Sequence, residues 1–361
     1  MNDQPLQAGL TILYAQAAGD ADKLGLICAK CRALLRGYHK RWSAFNPTPT
    51  SVESVGHVRL RNPQTNRQSR DLSVAGKLDV VALDDGRTVL MDHKTTSDAI
   101  EDPAGTYWQQ LQVESQPTHY MLLEWMNGNK IDTATWDVVR KPSIAPRKLK
   151  SKAERALVAA NRQYCNTNLS DAAMAWIAEH DTENMEMYEW RLLHDCCIER
   201  PAYYFARRSV PRFDSELIEY AESLWEMGQL LLAARKNDRW PKHSGSCMNY
   251  GSPCRYLGIC SGQDTPESQN WQARPEVHAE LGDVFDRNTL TYSSIRCFQT
   301  CPRKFYYRYE LGIQRKDEQE REPLLFGHTW HLALEAYWKA LLPTEESHGD
   351  RIALEESSVP F

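Results

Sequence analysis

This chain of 361 residues lacks several things. No stretch of about eighteen consecutive apolar residues occurs, so a membrane span is not expected. The start, MNDQPLQAGLTILYA, carries no basic segment ahead of an apolar one, which argues against a secretory leader and for a cytoplasmic protein. No G-x-x-x-x-G-K-S/T sequence is present, which excludes a motor driven through that phosphate loop. Positive charge is not in excess either. With Lys+Arg at 43 and Asp+Glu at 48 the net charge is −5, so contact with nucleic acid must rest on local basic patches. What remains is ample apolar material, 42% with 11 Trp, enough for one large domain or two without disulfides. The 10 Cys of a cytosolic chain then point to metal ligands or buried apolar positions.

Residues 76–94, GKLDVVALDDGRTVLMDHK, are the most informative segment. Two apolar, β-branched runs, Leu78–Leu83 and Thr88–Met91, flank Asp85-Gly86, a dipeptide suited to a two-residue hairpin turn with φ > 0 at both positions. With 84 opposite 87, Asp79 falls opposite Asp92 and shares its face. Lys94, two residues past Asp92, projects from that face as well. Two acids and a lysine so placed suit a divalent metal and an activated water. An exposed charged hairpin would show the same residues. Val80, Val81, Val89, Leu90 and Met91 instead suggest burial on both faces, where an acid pair without a cation is costly.

Further along, Gln116 and Tyr120 are i and i+4 on one face of a helix expected over Pro117–Met126. Pro117 suits the first helical turn. Residues 131–140 predict a strand, and 170–199 and 213–236 predict helices. Two basic patches stand out. Residues 140–155, RKPSIAPRKLKSKAER, fit a solvated loop and helix start as well as a DNA contact. In 302–309, PRKFYYRY, Arg303 and Lys304 can grip phosphates while the interleaved aromatics stack bases.

Cys247, Cys254 and Cys260 form C-x6-C-x5-C in a segment rich in turn residues, and three thiolates leave a four-ligand site open. Cys28 and Cys31 read as ordinary surface positions of an amphipathic helix, because no second pair follows at zinc-finger spacing. Cys165, Cys196, Cys197 and Cys297 read as structural, with Cys297 close enough to Cys301 to be a rival ligand.

In order and spacing, Asp79, Asp92-His93-Lys94 and Gln116-Pro117-Thr118-His119-Tyr120 resemble the core of the PD-(D/E)XK nuclease superfamily, in particular its RecB-like exonuclease branch with an iron–sulfur cluster. The resemblance implies an α/β, restriction-endonuclease-like central mixed sheet with flanking helices and a cysteine-bound helical lobe. It implies DNA as partner and a metal-dependent deoxyribonuclease using Mg²⁺ or Mn²⁺. The metal would sit on Asp79, Asp92, the His93 carbonyl and His331, the histidine of a G-x-x-x-H helix that begins at Gly327. Catalysis would fall to Asp79, Asp92, Lys94, Gln116 and Tyr120, and DNA contact to Gln116, Tyr120, Arg303 and Lys304. Cys247, Cys254, Cys260 and Cys301 match the ligands of a [4Fe–4S] cluster, with Zn²⁺ as the alternative. Glu53 matches an acidic position upstream of the core strands. DNA recombination, repair or phage DNA processing, with a recombination or helicase partner protein, is the implied setting.

The order of the parts departs from the family. Cys301 and the Gly327 helix, which open the family's pattern, come last here. Residues 24–262 thus read as nuclease core, 263–288 as linker, 289–342 as the family's N-terminal part packed on the core, and 343–361 as a tail. The chain looks circularly permuted, or else joined across the ends of a circular genome. The competing function is an inactive or incomplete nuclease-fold module that binds DNA without cleaving it.

Overall fold

The computed structural model describes residues 3–149, 151–249, 252–275, 278–317 and 322–343, so all but the first residue of the 343–361 tail lies outside the described residues. A central sheet carries β1 (Thr48–Arg61), β2 (Gln68–Asp84), β3 (Arg87–Thr96), β4 (Thr133–Arg140) and β5 (Phe205–Val210), in that spatial order. A two-residue strand β6 (Thr289–Leu290) joins β2 in parallel at Ser73 and Val74. Pairing is antiparallel at β1–β2, β2–β3 and β4–β5 but parallel at β3–β4. This is the mixed sheet expected of the fold. Parallel β3–β4 needs a crossover, and the helix α3 (Gln116–Met126) lies within it.

Each face of the sheet is covered by helices. On one side α1 (Gln4–Gly19), α2 (Ala21–Trp42) and α6 (Glu322–Lys339) bury Leu34, Tyr38, Val80, Met91, Trp330 and Trp338 in one core. On the other, α3, α4 (Asp214–Asn237) and α5 (Tyr292–Thr300) enclose Leu72, Leu90, Leu122, Leu224 and Phe298. Cys28 and Cys31 are buried rather than at the surface. The α2 helix packs against α1, α6 and the helix Met185–His194, so more than one stripe of it is covered. The stretch 170–199 is broken into Asp171–Glu179, Met185–His194 and a π-helical turn Asp195–Glu199. The second helix starts afresh at Asn184, whose side chain accepts from the Met187 N–H.

A smaller lobe has its own core of Tyr256, Ile259, Trp271 and Tyr307. Within residues 263–288, Trp271–Ala273 pairs antiparallel with Ile313–Arg315, tying the two halves of the lobe together. No helix among the described residues is long and apolar enough to cross a membrane.

Candidate active site

The site begins where β2, still paired with β1, parts from β3. Asp85 and Gly86 have φ of 47° and 76°, and this turn sets the register Val80↔Met91 through Asp84↔Arg87. The ladder ends there. Along that edge of β2, residues 75–79 carry no strand pairing among the described residues, because β3 has parted and β6 reaches only Ser73 and Val74. Side chains fill the gap. Asp79 Oδ2 accepts the His93 N–H at 2.8 Å, and His119 Nε2 lies 3.3 Å from the Ala75 carbonyl. The strand also turns over here. Leu78 packs into the α3-side core and Val80 into the α2-side core, and Glu53 on β1, level with Asp79, has φ 54°. Glu53 pairs with Lys77 at 2.5 Å, and although Lys77 opposes it, burial pushes the Glu53 carboxyl up.

Four side chains form a continuous chain beside this gap. Asp92 and Lys94 are ion-paired, Lys94 Nζ donates to Gln116 Oε1 at 3.0 Å, and Gln116 Nε2 donates to the Tyr120 hydroxyl at 3.0 Å. The Lys94 ammonium also lies 5.0 Å from the centre of the Trp136 ring. The α3 helix can approach this closely because Gly76 has no Cβ, which would meet the Tyr120 ring at 2.7 Å. Asp92 is 2% exposed. Burial pushes its carboxyl up to about 6, with Lys94 opposing and the Asp79 charge adding to the shift. His331 comes from α6, its ring 6.2 Å from that of His93 at a 72° angle. Burial lowers its pKa, and the charge of Asp79 opposes that.

The PD-(D/E)XK nuclease superfamily matches this sequence over residues 13–261 and 289–360. The chain belongs to that superfamily. No curated protein and no solved structure shows a significant match to it.

Nucleases of this superfamily act on phosphodiester bonds and generally use Mg²⁺ or Mn²⁺. Among the described residues no three His, Cys, Asp or Glu side chains are gathered to hold a metal ion. In this nuclease Lys94 engages Asp92, and the His93 amide engages Asp79. The donor set nonetheless fits a hard divalent cation. Two carboxylates flank the gap, and Asp92 Oδ2, buried against the Lys94 ammonium, still has its ionised form disfavoured by burial and by the Asp79 charge, which a second cation would relieve.

Sequence reasoning missed a polar assembly on the opposite face of β3. His93 Nδ1 lies 3.1 Å from Asp137 Oδ2, an ion-pair contact rather than a well-aligned hydrogen bond. Asp137 accepts from Arg207 Nε at 3.1 Å and from the Tyr38 hydroxyl at 2.5 Å. Burial works to raise the Asp137 carboxyl, but the Arg207 guanidinium overrides it and holds the group well below the usual range. Burial alone would lower the His93 imidazole, but Asp137 reverses that shift. The signal in the sequence was an acid, Asp137, inside the apolar strand TATWDVVR.

Cys247, Cys254, Cys260 and Cys301 line one small cavity together with Lys242, His243 and Lys304. Cys297 does not line it. Arg303 is held inward, donating through Nε to the Trp240 carbonyl at 2.7 Å. Three of the seven basic residues in the 140–155 stretch are paired with acids of the protein itself. Arg140 pairs with Glu101 at 3.0 Å, Arg147 with Glu154 at 3.3 Å and Lys148 with Asp181 at 3.7 Å; Lys150 lies outside the described residues.

Proposed function

We propose that this nuclease is a metal-dependent deoxyribonuclease of the RecB-like exonuclease type. The observation that carries the reading is the connected set Asp92–Lys94–Gln116–Tyr120 beside Asp79, at the one place where β2 and β3 separate. Asp79, Asp92, the His93 carbonyl and His331 would hold Mg²⁺ or Mn²⁺, which supplies positive charge against the phosphate and eases ionisation of water. Lys94, freed from Asp92, presents Nζ to the attacking water and the phosphate. Gln116 keeps the ammonium aimed, and Tyr120 fixes the Gln116 amide. With the metal bound, Asp92 would be neutralised by that cation rather than by a proton. Labelled single- and double-stranded DNA, incubated with Mg²⁺ or Mn²⁺, tests this. Cleavage abolished by Lys94→Ala supports it, whereas DNA binding without cleavage under either ion would make the chain an inactive nuclease-fold module.

The cysteine lobe we assign to a [4Fe–4S] cluster. Four cysteines share one cavity, the number of thiolates that a four-iron cluster takes, and they come from two distant parts of the chain. A single Zn²⁺ on the same four thiolates is the alternative. Lys242 and Lys304 offset the negative charge of four thiolates. We also read the chain as a functional circular permutation. The α6 helix packs on α1 and α2, His331 meets His93, and Cys301 meets the three cysteines that precede it in sequence.

A further inference from the structure

Resting on the nuclease reading above, we infer that Asp137 is a positioning residue. It holds the ring of His93, the residue between Asp92 and Lys94, and so sets the surface against which His331 packs.

His93 touches every element that carries a proposed ligand. Its backbone N–H is held by Asp79 of β2 at 2.8 Å. Its peptide bonds join it to Asp92 and Lys94 of β3. Its ring packs on α6, stacked on Trp338 at 6.0 Å and edge-on to His331 at 6.2 Å. Rotation of that ring would disturb its packing on α6, and with it the seat of His331. Both aromatic contacts leave the ring's polar atoms unspecified, and Nε2 finds no hydrogen-bond partner among the described residues. The Asp137 contact at Nδ1 is what remains to set the ring's orientation. The β3–β4 register places His93 and Asp137 side by side.

Asp137 is itself over-determined. Arg207 Nε and the Tyr38 hydroxyl both donate to it, and Arg207 Nη2 donates to Tyr38 at 2.7 Å. The carboxylate is 1% exposed. A buried ion pair of this kind is often no more stable than a well-packed apolar pair, so its benefit here is geometric. Removing a group that orients a metal's ligands typically costs about 10–100-fold in metal affinity, and here the oriented ligands would be the His93 carbonyl and His331.

The test is calorimetric titration of the purified full chain with Mn²⁺ and no DNA, followed by steady-state cleavage at saturating Mn²⁺. Asp137→Asn and His93→Phe are each expected to weaken Mn²⁺ binding by about 10–100-fold and to lower kcat, with KM for DNA unchanged. His93→Phe keeps the ring stacking and the Asp137–Arg207 pair, so it decides the matter if Asp137→Asn does not fold. Tyr204→Phe removes a 2.5 Å hydrogen bond to Asp195 in a separate buried network and serves as the structural control, expected to lower Tm without changing Mn²⁺ affinity. If His93→Phe and any folded Asp137→Asn lower Tm as the control does and bind Mn²⁺ like the wild type, the positioning role is overturned. If the wild type neither binds Mn²⁺ nor cleaves DNA, the nuclease reading falls and the positioning role with it.

Discussion

Lys94 Nζ and Gln116 Oε1 lie 3.0 Å apart, and this contact joins the third strand of the sheet to the first turn of α3. Lys94 is shared among Asp92, Gln116 and the Trp136 ring, and its side chain stays 27% exposed beside a nearly inaccessible Asp92. A cation that took over Asp92 would leave the ammonium still aimed by the amide and the ring.

Lys94→Ala should lower cleavage by roughly a hundredfold or more, and Gln116→Ala by about tenfold, because the first removes the donor and the second only its aim. Both should retain DNA binding in a gel-shift assay. Equal, full activity in the two variants would remove Lys94 from the chemistry.

Asp92→Asn separates stability from activity. The native carboxyl titrates at about 6 against an ordinary 3.8, so between those values the folded state binds more protons than the unfolded one. The metal-free wild type should therefore lose stability as pH rises from about 4 through 6, by roughly 2–3 kcal/mol in all. At pH 7.5 the Asn variant should be more stable by about that amount, and the difference should vanish near pH 4. Denaturant melts at the two pH values in a chelator check this. The variant should cleave no DNA.

Gly76→Ala should impair the site from a distance. The new methyl would meet Tyr120 at 2.7 Å and 3.0 Å, forcing the ring and the Gln116 amide it holds away from Lys94. A cost of about 1–3 kcal/mol is expected from overpacking. Cleavage should fall more than the unfolded fraction accounts for, which activity at a temperature well below the variant's melt will show.

Cys301→Ser should bleach the brown colour expected of the anaerobically purified protein and make the 247–260 segment sensitive to protease, since that cysteine ties two distant parts of the chain to one cavity. Cys297→Ser should keep the colour. A colourless wild type with stoichiometric zinc would reverse the assignment to a cluster.

A gene rearranged so that residues 289–343 precede residue 3 should yield a protein that folds and cleaves like the original, because the contacts of α6 with α1, α2 and β3 do not depend on chain order. Loss of folding in the rearranged chain, with the original active, would tie function to the present order.

The sequence alone determined what is local. Asp85-Gly86 sets the hairpin register, and alternation along Val80–Asp84 and Arg87–Met91 follows from a side-chain period of two. Helical spacing put Gln116 and Tyr120 on one face, and they are bonded there. The family itself was legible in those motifs, and the match over 13–261 and 289–360 bears that out at the level of the superfamily. Tertiary structure decided the rest. Asp137 reaches His93 through a parallel pairing that spans a helical crossover; an acid inside an apolar strand signals a buried partner, but no local pattern names His93 as that partner. Cys28 and Cys31 look amphipathic and are buried, because three other helices close around α2. His331 meets His93 only when the last described helix folds back across the first two, a contact between residues far apart in the chain that packing, not spacing, brings about.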